Sequence, residues 1–414
     1  MTDNSAAAVL QAVLELGPVP RGVVARHVGV SPATVTWQSR SLLAAGLLIE
    51  LPEAVSLSGI GRPYSPLALN SAGNVVIAVH IAAAQTTVAV VDIAGKVLRG
   101  SQIPHRSFDP DDILTGAGAA ITRVRDAGDG HRVLAVGVAI GGRVDRWAGI
   151  VLEHSFLRWH DVPVRARLEA ATGLPVELDS HARALMHAEQ LFGRLRGTSS
   201  AVMLFVGNVI DAAFAVHGRV HYGPRSSAGS ISRLAGGTEP PRDDYSDHAL
   251  LRRAAAAGIP VRTIPELIAA AGADPAALEL FVERAAVLGR IVAMLVDILD
   301  PEAVVIVDRS LPEVPAVRES YVETVRGNSV TSSDPGELIA ASTFTGQVLE
   351  AAGAAVALDG LFRAPLDAME RWADSTPGPA DPPVGMPAVL ASGPDRFVDR
   401  VAPIPQERGL FRTE

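Results

Sequence analysis

Over the first fifty positions, apolar residues recur at helical spacing. Ala8, Val9, Leu10, Val13, Leu14 and Leu16 make one amphipathic stretch, which Gly17-Pro18 ends. Pro20-Arg21 opens a short helix through Val24, Ala25 and His27, and Val28-Gly29-Val30 turns the chain. Ser31-Pro32 starts a third helix: Ser31 is a good N-cap, and Pro32 suits the first helical position because its missing N–H has no intrahelical partner. This helix runs through Val35, Leu42 and Leu43 to Ala45, where Gly46 can take the left-handed conformation that closes it. The string Leu47-Leu48-Ile49-Glu50-Leu51 then predicts a strand and residues 64–69 its return, with a glycine-containing tip between them. Three short helices followed by two strands are the pattern of a winged helix-turn-helix.

The composition changes between Asn70 and Asn74. Residues 75–79 and 87–92 read as paired strands, and Gly95 turns the chain into a third. A helix over 111–127, a buried strand over 133–140 and a helix over 164–172 complete an α/β unit. Strands at 174–178, 201–206, 212–216 and 219–221, with a helix over 182–192, lead into a second. Long helices dominate 248–298 before one more strand at 303–307. The last fifty residues hold nine prolines and little periodic hydrophobicity, which predicts a surface-wrapped or disordered tail that Trp372, Phe397 and Phe411 could anchor. The expected organisation is a winged helix-turn-helix over 1–70, a first α/β lobe over 71–182, a second lobe with a helical insertion over 183–364, and a proline-rich tail over 365–414.

Composition narrows the chemistry. At 414 residues, 48% apolar and 20% charged, the chain has the balance of a soluble protein of more than one domain. It opens on no charged-then-apolar leader and has no run of about 18 apolar residues, so a cytoplasmic location without a membrane partner is expected. The absence of cysteine excludes disulfides, thiolate catalysis, Cys-ligated zinc and iron–sulfur clusters. A net charge of −9 argues against a chain that coats nucleic acid over its whole surface, yet permits a small DNA-reading module on an acidic body.

In a helix-turn-helix the second helix of the motif lies in the major groove, so its outward positions must carry donors, acceptors or methyl groups. Here those are Thr34, Thr36, Trp37 and Arg40, behind the Ser31 cap. Arg40 can bridge two guanine acceptors or hold a phosphate, and Arg21 is placed for the DNA backbone. Arg62, in Gly61-Arg62-Pro63, suits a narrow minor groove or belongs to an ordinary turn. The alternative for the whole module is protein contact alone. Over residues 1–66, Arg21, Arg26, Arg40 and Arg62 face Asp3, Glu15, Glu50 and Glu53, a net charge of zero. Counterion release from one module is then small, and useful affinity calls for a homodimer on two-fold related half-sites.

This order of winged helix, Gly-Arg-Pro linker and two-part α/β body resembles the ROK family of repressors, open reading frames and sugar kinases. The likeness runs over roughly residues 8–362. It is carried by Gly-Val-Ser-Pro-Ala-Thr-Val at 29–35, Gly-Val-Ala-Ile-Gly-Gly-Arg-Val-Asp at 137–145, Trp-His-Asp-Val-Pro at 159–163, Leu-Pro-Val at 174–176, Ala-Glu-Gln-Leu-Phe-Gly at 188–193, Ala228-Gly229 and Gly353-Ala354-Ala355. The resemblance implies an actin-like, hexokinase-like (ribonuclease H-like) body, with a cleft between two α/β halves that holds sugar and, in the kinases, ATP.

Against the family's kinase pattern the chain departs at each functional block. The Asp-x-Gly-Gly-Thr phosphate loop reads His80-Ile81-Ala82-Ala83-Ala84; the second loop reads Gly207-Asn208-Val209-Ile210-Asp211; a Gly-Gly near the adenine becomes Asp308-Arg309. Ungapped counting puts His181 on the catalytic base, with Asp179 and Ser180 before it. Histidine can act as a general base, or His181 is a polar cleft residue and Asp179 a partner of local backbone. The sugar-binding Glu and zinc-ligating His of the family fall on Ser230 and Arg233, and a sugar-contacting Asn on Phe156. No cofactor and no metal are expected. The reading that follows is a DNA-binding regulator, a repressor, with a catalytically inert body. Its effector need not be a common hexose, because Phe156, Asp179, Ser180, His181, Ser230 and Arg233 suit an anionic or modified metabolite. The alternatives are a sugar kinase with an appended reader and a ligand-free dimerisation scaffold.

Overall fold

The computed structural model describes residues 2–51, 65–127, 130–231, 234, 245–331, 334–344 and 346–374. Three helices open it: α1 (Thr2–Leu16), α2 (Arg21–Val28) and α3 (Pro32–Ala44). Local chemistry sets their ends. Gly29 closes α2 at φ +75°, Ser31 caps α3 by accepting from the Thr34 N–H, and Gly46 turns the chain at φ +75°. Strand β1 (Leu48–Glu50) then pairs antiparallel with β2 (Leu67–Leu69), and Val19 exchanges backbone hydrogen bonds with Leu67 on the other side. The expected wing strands are present but shorter; the wing tip, with Arg62, lies outside the described residues.

The winged helix is joined tightly to the body. Gly46 O, just past the end of α3, accepts from both Asn70 Nδ2 and Asn74 Nδ2 at 2.8 Å. Val9, Val13, Leu42 and Leu48 share one apolar cluster with Val76, Leu134, Leu358 and Trp372 of the body.

The first sheet of the body runs β10-β6-β3-β4-β5. Its strands are β3 (Asn74–Ile81), β4 (Gln85–Asp92), β5 (Val97–Pro104), β6 (Arg132–Ile140) and β10 (Val176–Ser180), with β3, β6 and β10 parallel and β4 and β5 antiparallel. Helices α4 (Pro110–Asp126) and α5 (Val164–Thr172) belong to this lobe. A small antiparallel sheet of β7 (Arg143–Asp145), β8 (Ile150–His154) and β9 (Trp159–Val162) stands at its end. Helix α6 (His181–Phe192) leads into the second sheet, ordered β13-β12-β11-β14-β15. Its strands are β11 (Ala201–Val206), β12 (Ile210–Val216), β13 (Arg219–Val220), β14 (Ala303–Val307) and β15 (Ile339–Ala341). Around it lie α7 (Asp247–Ala256), α8 (Ile264–Ala271), α9 (Pro275–Leu299), α10 (Pro315–Asn328) and the single turn α11 (Pro335–Leu338). Among the described residues no helix is long and apolar enough to cross a membrane.

Two segments depart from the expected organisation. Helix α12 (Val348–Arg363), counted with the second lobe, packs on β3 and β6 of the first, and Gly353 and Gly137 let the backbones touch: a Cβ on Gly137 would stand 2.1 Å from Gly353 O. Helix α13 (Pro365–Asp374), counted with the tail, packs against α1, with Ala368 and Trp372 buried. Its apolar residues lie on one face, a pattern hidden beside the proline-rich sequence that follows.

Candidate nucleic-acid interface and interlobe cleft

Helix α3 buries Val35, Gln38, Ser39 and Leu42 and exposes Ala33, Trp37, Arg40 and Ala44, which fall on one stripe at spacings of three and four. Trp37 is 52% exposed, unusual for so large an apolar side chain outside a binding surface. Thr34 and Thr36 flank the stripe half-buried. Thr36 Oγ1 donates to Pro32 O at 2.8 Å, and Thr34 Oγ1 lies 2.8 Å from Ser31 Oγ. Their hydroxyls are therefore engaged inside the first turn. Arg21 begins α2 as expected, but its guanidinium is paired with Glu50 on β1. This pair, not visible in the one-dimensional pattern, ties α2 to the wing and reduces the charge Arg21 can offer a phosphate.

Imidazoles gather where the two lobes meet. His80 is the penultimate residue of β3, His154 ends β8 and His181 begins α6; His80 and His181 stack with centroids 6.1 Å apart, and His181 stacks on Phe205 at 3.8 Å. The close Gly141 backbone lets them gather, since a Cβ there would meet His181 at 3.1 Å and His154 at 3.2 Å. Burial and then the His181 imidazole push His80 and His154 down to about 3. Asp211 on β12 stands 3.6 Å from His181 Nε2 and accepts from the Gly142 N–H at 3.3 Å.

The loop positions are tied into the chain's own contacts. The alanine run makes a tight turn in which the Ala82 N–H donates to Gln85 O at 3.0 Å. In the second loop, Gly207 O and Asn208 Oδ1 accept the Asp247 and His248 N–H groups at the start of α7, at 3.0 and 3.1 Å. In place of the adenine-side glycines, Asp308 accepts from Arg284 at 2.9 Å; Arg284, wholly buried on α9, also donates to Asp247 at 2.8 Å. A nucleotide's phosphates draw on free backbone N–H groups and repel carboxylates; Asp211 stands at the second loop position, and Asp308, paired with Arg284, at the adenine-side one.

Of the expected effector residues, the structure places His181 and Ser180 at the start of α6 and Phe156 beside His248, with ring centroids 6.0 Å apart. Asp179 is not available to a ligand. It is fully buried, accepts from Arg183 at 2.6 Å, Arg146 at 3.3 Å, Tyr222 at 3.1 Å and the Ser180 N–H at 2.7 Å, and is held below the usual carboxylate range as the two arginines outweigh burial. Ser230 is exposed, with its N–H donating to Ser227 O. Arg233 lies outside the described residues. Sequence reasoning missed His154, Arg146, Tyr222 and Arg284, whose partners are distant in the chain. A zinc site of the family's kind has no cysteine to build it, and among the described residues no three His, Asp or Glu are grouped to hold a metal ion.

Residues 76–234 match the ROK family. The chain is 34% identical to a transcriptional regulator of Mycobacterium tuberculosis over 90% of its own length and 89% of that protein. It is 24% identical to the DNA-binding transcriptional repressor Mlc of Escherichia coli, over 73% of this chain and 80% of the repressor. A crystal structure of a ROK family transcriptional regulator homologous to Mlc superposes with a TM-score of 0.76 at 23% identity, covering 89% of this chain and 99% of that one. A ROK glucokinase from Streptomyces griseus, solved with glucose and AMPPNP, gives 0.60 at 24% identity over 68% and 98%. These similarities and the shared two-lobed fold place the chain in the ROK family, to which it belongs.

Proposed function

We propose that this protein is a DNA-binding transcriptional regulator, acting as a repressor, whose body has lost phosphoryl transfer and serves to pair two readers and to sense an effector. The observation that carries the reading is a recognition helix with Trp37 and Arg40 outward, fixed through Gly46 to a body whose phosphate-loop positions lack the family's glycines. Likeness to named regulators along nearly the whole chain, reader included, supports it. The near-zero charge of the reader favours a dimer on a two-fold operator.

Arg40→Ala is expected to cost about 1–3 kcal/mol on a cognate site and to relax preference at one base position. Arg21→Ala should weaken all sequences alike and by less, because Glu50 already holds that guanidinium. Titration of wild type and both variants on a cognate and a scrambled duplex checks this; equal losses on both duplexes for Arg40→Ala would assign it to the phosphate backbone.

The kinase reading makes the opposite claim. With the donor-loop glycines replaced, hexoses and acetylated amino sugars should give no ATP-dependent product above a no-protein control. Turnover that His181→Ala abolishes would restore the kinase reading.

A further inference from the structure

The reader carries no net charge, whereas attraction to phosphates supplies most of the sequence-independent affinity of a DNA-binding protein. The end of the first lobe that meets the reader is differently charged. Strands β3 and β6 run parallel and start at that end, the β4–β5 turn lies beside them, and α4 finishes just before β6 begins. In sequence, residues 92–99 and 123–132 hold Lys96, Arg99, Arg123, Arg125 and Arg132 against Asp92, Asp126 and Asp129, a net charge of +2 in a chain of −9.

Several of these groups already have partners. Asp92 Oδ1 accepts the Ala94 and Lys96 N–H groups at 2.9 Å inside the turn, and Asp126 is paired with Arg125 at 2.8 Å. Arg125 also donates to Thr172 O at the end of α5, at 2.8 Å, and Arg99 to Val124 O in the last turn of α4, at 3.1 Å; cations suit these negative helix ends. Arg123 and Arg132 differ. Arg123 is exposed, and its guanidinium has no hydrogen-bond or ion-pair partner among the described residues. Arg132 is exposed as well, and uses one of its five N–H donors on Ala45 O at 3.3 Å.

That one bond sets Arg132 against the recognition helix. Ala45 is the C-cap of α3, and Arg40 stands five residues before it, about 7.5 Å along the helix axis. Arg132 is also in register with Asn74, whose side chain holds Gly46 O, so its place beside α3 is fixed by the sheet. The C-terminal end of a helix lying in the major groove is one of the places where DNA-reading folds touch the backbone. Arg123, in the last turn of α4, continues the positive surface onto the lobe.

We infer that the first lobe is part of the DNA interface, with Arg132 and Arg123 holding phosphates that flank the base pairs read by α3. The inference rests on the regulator reading above. These two arginines confer no base preference, because phosphates carry no sequence information.

The test uses the full chain and a random-sequence duplex, with affinity measured from about 50 to 200 mM salt. The slope of log affinity against log salt should become shallower by about one per bound chain in Arg123→Ala and in Arg132→Ala, and by about two in the double variant. Arg132→Lys, which keeps the charge, should return to the wild-type slope. Arg252→Ala, which removes an exposed cation of α7 in the second lobe, should leave the slope unchanged. The melting temperature of Arg123→Ala should match wild type, which separates a lost contact from a damaged fold. A wild-type slope in the double variant would overturn the inference, as would an equal change in Arg252→Ala, which would mean attraction by overall charge. Binding to vesicles of phosphatidylglycerol and phosphatidylcholine that the double variant loses, with the duplex slope unmoved, would assign the patch to a membrane and overturn it too. A wild type that binds neither this duplex nor any genomic fragment would count against the regulator reading itself; a selected operator with an unmoved slope would count against the lobe alone.

Discussion

Gly353→Val should yield little soluble, folded protein. Helix α12 lies backbone to backbone on the first sheet, and a Cβ at Gly353 would stand 2.6 Å from Val79 N and 3.0 Å from Ala78 C. Neither obstacle is a side chain that can swing aside; both are central strand backbone, and Gly137 presses on the same helix from β6. Separating α12 from β3 and β6 would open the cluster that includes Ala354, Ala357 and Leu358. We expect a loss of about 3 kcal/mol or more, from a total that for domains of ordinary stability is roughly 5–15 kcal/mol. Gly360→Ala on the same helix is the control: the nearest atom to its added Cβ is Arg371 at 3.9 Å, so the melting temperature should hold or rise slightly. Thermal or urea unfolding of the two variants beside wild type measures the difference.

Acidification should destabilise the protein well above the range in which carboxylates titrate. His80 and His154 have folded values of about 3 against an ordinary 6.5, so between those limits the unfolded chain binds protons that the folded one refuses. Their contribution is complete above about pH 6.5 and is lost as pH falls through that window toward 3. By about pH 5 each histidine should have removed about 2 kcal/mol. Asp179 and Asp359, both held low by their cationic partners, lose their contributions only below the ordinary carboxylate value, which separates the two causes. Stability measured from about pH 7.5 to 5 should therefore fall steeply in wild type and less steeply in His80→Leu. An unchanged slope in that variant would mean that His80 is already solvated or paired in the folded state.

The winged helix was legible because its signals are local. Ser31-Pro32 caps one end of α3, Gly46 closes the other, and Gly29 ends α2, each within a few residues of the boundary it sets. Helix α12 was recognisable only as the Gly353-Ala354-Ala355 segment of a family pattern. Residues 352–359 are all buried, so it shows no polar face and no clear period. The small sheet over β7 to β9 went unread because its strands have three to five residues, too few to establish an alternation.

The site was legible where it was an absence and obscure where it was a pairing. Loss of the phosphate-loop glycines stands in the sequence itself. The buried pairing of Arg284 depends on Asp247, 37 positions away, and Asp308, 24 away. Asp179 looked like a ligand contact because nothing nearby in the chain announces Arg146 or Tyr222, which reach it from 33 and 43 positions away.

Selection of genomic fragments by the full-length protein, followed by footprinting of the best fragment, tests the central claim most directly. The expected result is an enriched sequence with two-fold related half-sites, protected one or more helical turns apart, and loss of that protection when Trp37 and Arg40 are both changed to alanine. Recovery of no enriched sequence, or undiminished protection by the double variant, would contradict it.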